Sequence, residues 1–310
     1  HEQEKPGLNT RAILYDGNIE SISLKREMPT IRQELEPLFS AYPLELDIFA
    51  PGLNEKYLFN LHTVRKTISE SEIIRQAVLS ALGECWQRDL LYVDRVRFRC
   101  IPDRFQSHSA ASALLCWHRD TYYANAACQI NLWIPLTDCD RNNGIAFFPE
   151  LLNQKLPNDS ADFELNRWER AGGFQAYKEE KPSGTGLTYP SAVGPFDPDK
   201  AWAPNVNVPD SLLFAGRHLH GTMPNVSGAP RYSLECRFCH VDDIERADPA
   251  LNVDSYSRGS FLSSFRNAET GDPIPVELAQ DYGRRTDRSS QTVESNRTDR
   301  RGPTERGQDQ

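Results

Sequence analysis

The chain has 310 residues, of which 38% are hydrophobic and 25% charged, and its formal net charge is −9. This length fits one large domain or two small ones, and the acidic balance argues against nucleic acid or an anionic membrane as partner. No apolar run is long enough to span a bilayer, and the N-terminus lacks the charged-then-apolar pattern of a signal peptide. We therefore expect a cytoplasmic protein that has neither nucleic acid nor a membrane as its partner.

The seven cysteines are odd in number and scattered, and most of them lie within apolar runs. This usage predicts reduced core residues, as is usual in the cytoplasm. Cys236 and Cys239 have CxxC spacing, but they lack a second pair, and on a strand their thiols would face opposite sides. We interpret them as structural residues, with no zinc or redox role.

The first third of the chain predicts helices, after a short strand at residues 12–15. The segment Thr30–Gln33 resembles a capping box and opens a helix that runs toward Ala41. A second box covers Ser69 to Glu72. Apolar residues at helical spacing follow it: Ile73, Ile74, Ala77, Val78, Ala81, Leu82, Cys85 and Trp86. An amphipathic helix of this kind typically packs against the outside of a sheet.

From about residue 91 the apolar period changes to two, which indicates strands. Strands without helices between them favour an antiparallel barrel or a double-sheet jelly roll, and thus a mainly β fold with flanking helices. We predict one domain over residues 1–281, with the barrel core at about 90–245, a long aromatic-containing insertion at 151–208 and a disordered tail at 282–310. The predicted strands cover 95–100, 113–122, 128–136, 145–149, 211–215 and 231–241, with a turn at 140–144.

The strand predicted at 113–122 ends in two metal-ligand side chains. Because side chains on a strand alternate, His118 and Asp120 point the same way. An imidazole and a carboxylate side by side can hold two cis positions of a divalent metal, and one more histidine would complete a two-His-one-carboxylate site. His218 and His220 follow a later apolar strand and share a face, so the spacing leaves either as the third ligand.

Taken together, these motifs resemble the phytanoyl-CoA dioxygenase-like branch of the Fe(II)/2-oxoglutarate-dependent oxygenases. The resemblance covers about residues 90–245 and implies a double-stranded β-helix (jelly-roll, cupin-like) core with N-terminal helices packed outside it. The matching pieces are Trp117-His118-Arg119-Asp120, Ile134-Pro135-Leu136-Thr137-Asp138, Asn143-Gly144, Phe148-Pro149, Leu213-Phe214, His220-Gly221-Thr222, Pro224-Asn225 and Arg231.

The resemblance implies a set of iron ligands, which are also the catalytic residues. They are His118, Asp120 and His220. We favour His220 over His218 because the distal histidine of the family is followed by glycine and a hydroxyl residue, and because Arg231 lies eleven residues later. His218 would then be a residue of the pocket wall.

The resemblance also implies a binding site for the cosubstrate 2-oxoglutarate. Arg231 would bind its distal carboxylate in a bidentate pair, and Thr222 would add a hydroxyl group. Among Arg95, Arg97 and Arg99, we choose Arg99 as a further residue that binds the cosubstrate. The three arginines share one strand face, and such a face is normally exposed to solvent.

Two further strands carry polar residues that we expect on the interior face. Asn131, with Gln129 beside it, would look into the barrel at the cosubstrate, unless this strand is merely half-exposed. Glu235 either pairs with Arg237 or binds a cationic group of the substrate. We favour the structural pairing, because a buried carboxylate is costly without a partner.

The implied reaction is the Fe(II)- and O2-dependent conversion of 2-oxoglutarate to succinate and CO2, coupled to hydroxylation of an unactivated C–H bond. Asp120 disfavours halogenation, since the halogenating members lack this carboxylate, but desaturation and cyclisation stay open. We expect a small specialised metabolite or amino-acid derivative as substrate, bound by the 151–208 aromatics with Tyr122, Tyr123 and Trp133. The alternative is a cupin-like metal-binding protein or isomerase, which would not need Arg231.

Overall fold

The computed structural model describes residues 8–83, 86–108, 115–170, 189–246 and 252–285. Nine strands and seven α-helices lie in these ranges. The strands are β1 (Glu20–Ser23), β2 (Leu91–Val93), β3 (Arg97–Ile101), β4 (Ile130–Pro135), β5 (Ile145–Phe147), β6 (Asp210–Ala215), β7 (His220–Thr222), β8 (Arg231–His240) and β9 (Arg266–Asn267). The helices are α1 (Leu8–Tyr15), α2 (Met28–Ala41), α3 (Leu53–Glu70), α4 (Glu72–Ser80), α5 (Leu165–Arg170), α6 (Val241–Arg246) and a helix over residues 276–285.

Seven strands form one antiparallel sheet, in the order β1-β6-β4-β8-β2-β9, with β3 also paired to β8. The long strand β8 organises this sheet, because it pairs with β4 along one edge and with β3 and β2 along the other. Strands β5 and β7 form a separate antiparallel pair. The predicted mainly β, two-sheet core with flanking helices is confirmed.

The large sheet has two chemically different faces, as the period of two requires. Its outer face carries apolar side chains that share one core with α2, α3 and α4, among them Phe98, Ile130, Leu132, Leu234, Cys236 and Phe238. Its inner face presents Asn131, Trp133, Phe214, Arg231, Ser233, Glu235 and Arg237. The β5–β7 pair covers part of this inner face, since Phe147 packs edge-on against Phe214 with ring centroids 4.9 Å apart.

The helical region differs from its sequence prediction in four places. Residues 12–15 belong to α1, not to a strand, and Tyr15 donates a hydrogen bond to the Cys128 carbonyl oxygen. Helix α2 begins at Met28, before the expected box, because Pro29 fits the first turn of a helix. Ser71, not Ser69, caps α4, which ends at Ser80 rather than near Trp86. Helix α3 was missed, although its buried residues lie at helical spacing: Tyr57, Leu61, Val64 and Ile68.

The expected tail and insertion are only partly described. Residues 282–285 continue a helix, and the buried Tyr282 hydroxyl accepts a hydrogen bond from the Ala127 amide, so the prediction of disorder from residue 282 is wrong for these four residues. Residues 286–310, and 171–188 within the insertion, lie outside the described residues. The six described cysteines are all free, as predicted, and Cys85 is outside that range.

Candidate metal centre

Three predicted ligands meet between the two sheets: His118, Asp120 and His220. One donor atom from each residue lies within 4.8 Å of the other two, which is close enough for one divalent cation. His118 is held by two backbone bonds to His220, with N–O distances of 2.9 and 3.0 Å. Within the described part of the chain, this is the group of three that could hold a metal ion.

The local backbone at these ligands is not the long strand that the sequence predicted. Residues 109–114 lie outside the described residues, and His118 contributes only an isolated bridge to His220. Asp120 opens a short 3-10 helix, Asp120–Tyr123, and its amide donates to the Gly216 carbonyl at 2.8 Å. The chain therefore turns at the site, yet both side chains still face the same space.

Each histidine is oriented by a backbone carbonyl two residues earlier. His220 Nδ1 lies 2.9 Å from the His218 oxygen, and His118 Nδ1 lies 3.2 Å from the Cys116 oxygen. If Nδ1 carries the proton in both rings, the Nε2 lone pairs are left for a metal. Burial, together with the charge of His220, lowers the pKa of His118 to about 3, so this ring is neutral and ready to ligate at neutral pH.

The carboxylate of Asp120 accepts hydrogen bonds from two side-chain amides, Asn131 on β4 and Gln129 just before β4. Its Oδ2 accepts from Gln129 Nε2 at 2.9 Å and from Asn131 Nδ2, while Oδ1 lies 3.8 Å from His118 Nε2. Burial raises the pKa of this carboxyl, but Arg237 and the two histidines outweigh that effect and the net shift is downward. Asp120 is thus a carboxylate with one oxygen secured and the other turned toward the histidines.

Gly216 makes this close approach feasible, and sequence reasoning missed it. A Cβ atom at Gly216 would lie 3.1 Å from Gln129 Nε2 and 3.2 Å from Asp120 Oδ2. Only a residue without a side chain leaves both groups undisturbed. The feature of the sequence that could have indicated this role is the position of Gly216 directly after the apolar strand β6.

His218 does not join the three-residue group. It lies in the turn between β6 and β7, where strand alternation no longer holds, and its side chain is fully buried beside the Phe147 ring. Burial lowers the pKa of His218 to about 3. Its backbone carbonyl, rather than its imidazole, serves the site by holding His220. The geometry therefore favours His220, as the sequence analysis did.

Arg231 is buried on the inner face, with 2% of its surface exposed. Nη1 donates to the Gly144 oxygen at 3.2 Å, Nε has no partner, and no carboxylate of the described residues pairs with the guanidinium. Its Cζ lies 5.8 Å from the centroid of the Trp133 ring. Burial lowers the pKa of Arg231 to about 10, so the group stays charged at neutral pH.

Arg99 and Asn131, predicted to bind the cosubstrate, both have protein partners instead. Arg99 pairs with Glu235 at 3.1 Å, and Glu235 also accepts from Arg237 at 3.1 Å. Asn131 donates to Asp120, as described above. Glu235 thus forms the structural ion pair with Arg237 that we favoured. It also pairs with Arg99, which the sequence did not predict.

The predicted substrate aromatics divide into two groups. Tyr122 is fully buried and donates to Asp254, so it belongs to the core. Tyr123 faces the site, with its ring centroid 5.2 Å from that of His118 and 6.3 Å from that of Tyr189. Other described aromatics of the 151–208 insertion, such as Phe196, pack on Trp117 and Phe148 at the outer face of the β5–β7 pair. The insertion therefore reaches the site through Tyr189, and much of the rest covers the small sheet.

The chain matches no protein-family model and no curated protein. It is similar to several solved structures. EvdO2 of Micromonospora carbonacea var. aurantiaca complexed with 2-oxoglutarate has a TM-score of 0.44 and 16% identity, over 74% of this chain and 89% of that one. The non-haem monooxygenase ThoJ in its nickel complex has a TM-score of 0.42 and 12% identity, over 93% and 98%.

HygX of Streptomyces hygroscopicus with nickel and 2-oxoglutarate bound has a TM-score of 0.41 and 15% identity, over 74% of this chain and 86% of that one. These similarities are too distant to assign a function, which is inferred below from the site itself. No helix in the described ranges is both long and apolar enough to cross a bilayer.

Proposed function

We propose that this protein is a non-haem Fe(II)/2-oxoglutarate-dependent dioxygenase of the phytanoyl-CoA dioxygenase-like family. The observation that carries the proposal is Arg231, a buried guanidinium without a carboxylate partner among the described residues, on the same inner face as Asn131, which donates to Asp120 of a two-His-one-carboxylate group. An uncompensated charge in a protein interior is costly, and a bound anion would compensate it.

The ligand set fits Fe(II). Two imidazoles and one carboxylate would bind the ion on one face and leave its other positions for cosubstrate and oxygen. The fit is supported by the shape of the site, since His118, Asp120 and His220 each have one atom held by the protein and one turned to the common centre. These three residues would hold the metal.

The spacing of the site fits a short dicarboxylate. Gly144, which accepts from Arg231, precedes Ile145, and Ile145 pairs with Thr222. Thr222 lies two residues after His220, or roughly 7 Å along the strand. That distance is comparable to the length of a 2-oxoglutarate molecule. The buried Ser233 hydroxyl, on the same face of β8 as Arg231 and without a partner in the described residues, supplies a further donor.

When bound, iron with 2-oxoglutarate and O2 supplies the oxidation: the keto acid becomes succinate and CO2, and one oxygen atom passes to the substrate. The protein residues prepare this chemistry. Arg231 and Thr222 anchor the cosubstrate, and Gln129 and Asn131 fix the orientation of Asp120. The apolar side chains Phe147, Trp133 and Phe214 exclude water from the inner wall. Hydroxylation of an unactivated C–H bond in a small metabolite or amino-acid derivative is the outcome we propose.

A cupin-like metal-binding protein or isomerase would use the same three ligands. It would have no need for a buried arginine without a carboxylate partner on the same inner face, so Arg231 favours the dioxygenase. The two functions differ in one measurable property, which is affinity for 2-oxoglutarate in the presence of metal.

The test is an anaerobic titration of the Fe(II)-loaded protein with 2-oxoglutarate, followed by its visible absorption band. We expect saturable binding and, in air, slow formation of succinate without a primary substrate. Arg231→Ala should raise the apparent KM for 2-oxoglutarate, while Fe(II) affinity stays unchanged. Wild-type protein that binds Fe(II) but not 2-oxoglutarate would refute the dioxygenase and leave the metal-binding alternative.

A further inference from the structure

The site opens on one side, where His118 and Arg99 lie. The side chain of His118 is 21% exposed and that of Arg99 is 37% exposed, whereas Asp120 and Arg237 are 1% and 7% exposed. Tyr123 and Tyr189 continue the same rim. A substrate that approaches the metal therefore passes Arg99.

A second arginine reaches this rim from the helical layer. Arg65 of α3 donates from Nε to the carbonyl oxygen of Phe98, the residue before Arg99, at 3.3 Å. It is partly buried, and no carboxylate of the described residues pairs with it. Burial, followed by the charge of Arg99, lowers the pKa of Arg65, whereas Tyr57, Cys100 and, least, Tyr189 oppose that shift. Arg65 and Arg99 are thus like charges near enough to repel each other.

The acidic groups of the barrel are already used by other cations. Glu235 is shared between Arg99 and Arg237, Asp94 pairs with Arg97, and Asp120 is a metal ligand. None of these three carboxylates pairs with Arg65.

The charges of the site leave a positive excess. Fe(II) and the 2-oxoglutarate dianion cancel each other, and among the described residues the arginines on and beside β3 and β8 outnumber the carboxylates that pair with them by two. The five cationic side chains are Arg65, Arg97, Arg99, Arg231 and Arg237, and the three anionic ones are Asp94, Asp120 and Glu235. This excess occurs in a chain of net charge −9, so it is a local feature and not a general one.

We propose that the primary substrate carries an anionic group, a carboxylate or a phosphate, which Arg65 and Arg99 bind at the opening of the site. Guanidinium groups suit both anions, because their N–H donors match two oxygens at once. The anion fixes one end of the substrate at the rim and directs its neutral part past Tyr123 toward the metal. This inference rests on the proposed function for the place of the metal and names the substrate class for it.

The experiment uses the Fe(II)-loaded protein saturated with 2-oxoglutarate under anaerobic conditions, so that Arg231 is occupied. Phenyl phosphate, benzoate and neutral benzyl alcohol are titrated by calorimetry. We expect one or both anions to bind at least about tenfold more tightly than benzyl alcohol. The stronger of the two identifies the anion as phosphate or carboxylate. Arg65→Gln should weaken that binding about tenfold, and Arg65→Lys should restore part of it.

Arg32→Gln, which removes an exposed arginine from α2, is the matched control and should bind the probes as the wild type does. Equal affinity for the anions and benzyl alcohol, or unchanged anion binding in Arg65→Gln, would overturn the inference. Because 2-oxoglutarate is titrated first on the same sample, failure of the cosubstrate to bind is recorded separately and refutes the dioxygenase instead.

Discussion

Arg119 and Arg231 are two arginines in nearly equal burial, at 0% and 2% exposure, but their surroundings differ completely. Arg119 directs its guanidinium to five acceptors: the Asp254 carboxylate and the carbonyl oxygens of Leu151, Leu152, Gln154 and Arg217. Arg231 has one carbonyl partner and an unpaired Nε. A guanidinium offers five N–H donors, so the first is saturated and the second is not.

The difference separates a structural arginine from one that we propose to bind an anion. Arg119 stands between the ligands His118 and Asp120 but faces away from them, and it joins the site to the insertion and to Asp254. Asp254 in turn accepts from Tyr122 and from the Leu156 amide. Burial alone therefore does not indicate the role of an arginine. The number of its N–H donors that lack a partner does indicate it.

The largest expected effect is at Arg119. Arg119→Met should lower the free energy of unfolding by about 3–5 kcal/mol, because it leaves Asp254 buried without its counter-charge. Urea denaturation of the metal-free protein measures it, with Arg32→Met as the exposed control, which should stay within about 0.5 kcal/mol. A loss below about 1 kcal/mol at Arg119 would contradict its structural role.

The same substitution at Arg231 should have the opposite result for stability. Arg231→Met replaces an uncompensated buried charge, so the free energy of unfolding should stay unchanged or rise by about 1–4 kcal/mol. Affinity for 2-oxoglutarate should fall about 10- to 100-fold, since a charge-assisted pair is lost. If Arg231→Met unfolds the protein as Arg119→Met does, the contrast between the two arginines is wrong.

A smaller effect is expected where the protein orients a ligand. Asn131→Leu removes one amide donor from Asp120 Oδ2 and should weaken Co(II) or Fe(II) binding about 10- to 100-fold. The visible spectrum of the Co(II) form reports both affinity and geometry. Asn142→Leu is the control, because Asn142 donates to the exposed carboxylate of Asp140 in a turn. Equal metal affinity in both variants would show that Asn131 has no orienting role.

The last expected effect concerns pH, and it is small near neutral pH. Burial lowers the pKa of His218 to about 3, below its value of about 6.5 in an unfolded chain. Between these values the unfolded state binds more protons, so stability is lost as the pH falls below about 6.5, by up to about 1.4 kcal/mol per pH unit. His218→Asn should reduce this slope in the chelator-treated protein, as measured by urea denaturation between about pH 7 and 4. An unchanged slope would show that His218 is not buried in its neutral form.

The sequence was sufficient where the signal is local or periodic. Alternation on β4 and β8 predicted the strands and the polar inner face, and the H-x-D spacing placed His118 and Asp120 together. It failed at α1, whose pattern is too short to separate helix from strand. It also did not indicate the partners of Arg99 and Asn131. These partners, Glu235 and Asp120, come from other segments of the chain, so no local pattern records them.

The sequence by itself determined the strand-rich fold and the predicted ligands His118, Asp120 and His220, with Arg231 as the predicted anchor of the cosubstrate. Only the tertiary structure brought His220, rather than His218, beside His118 and Asp120. It also gave Arg119 five acceptors, left Arg231 without a carboxylate partner and placed Arg65 beside β3. The reason is that residue type and spacing fix which groups a strand presents to one face. Which of those groups find partners depends on strand register and on segments far apart in the chain.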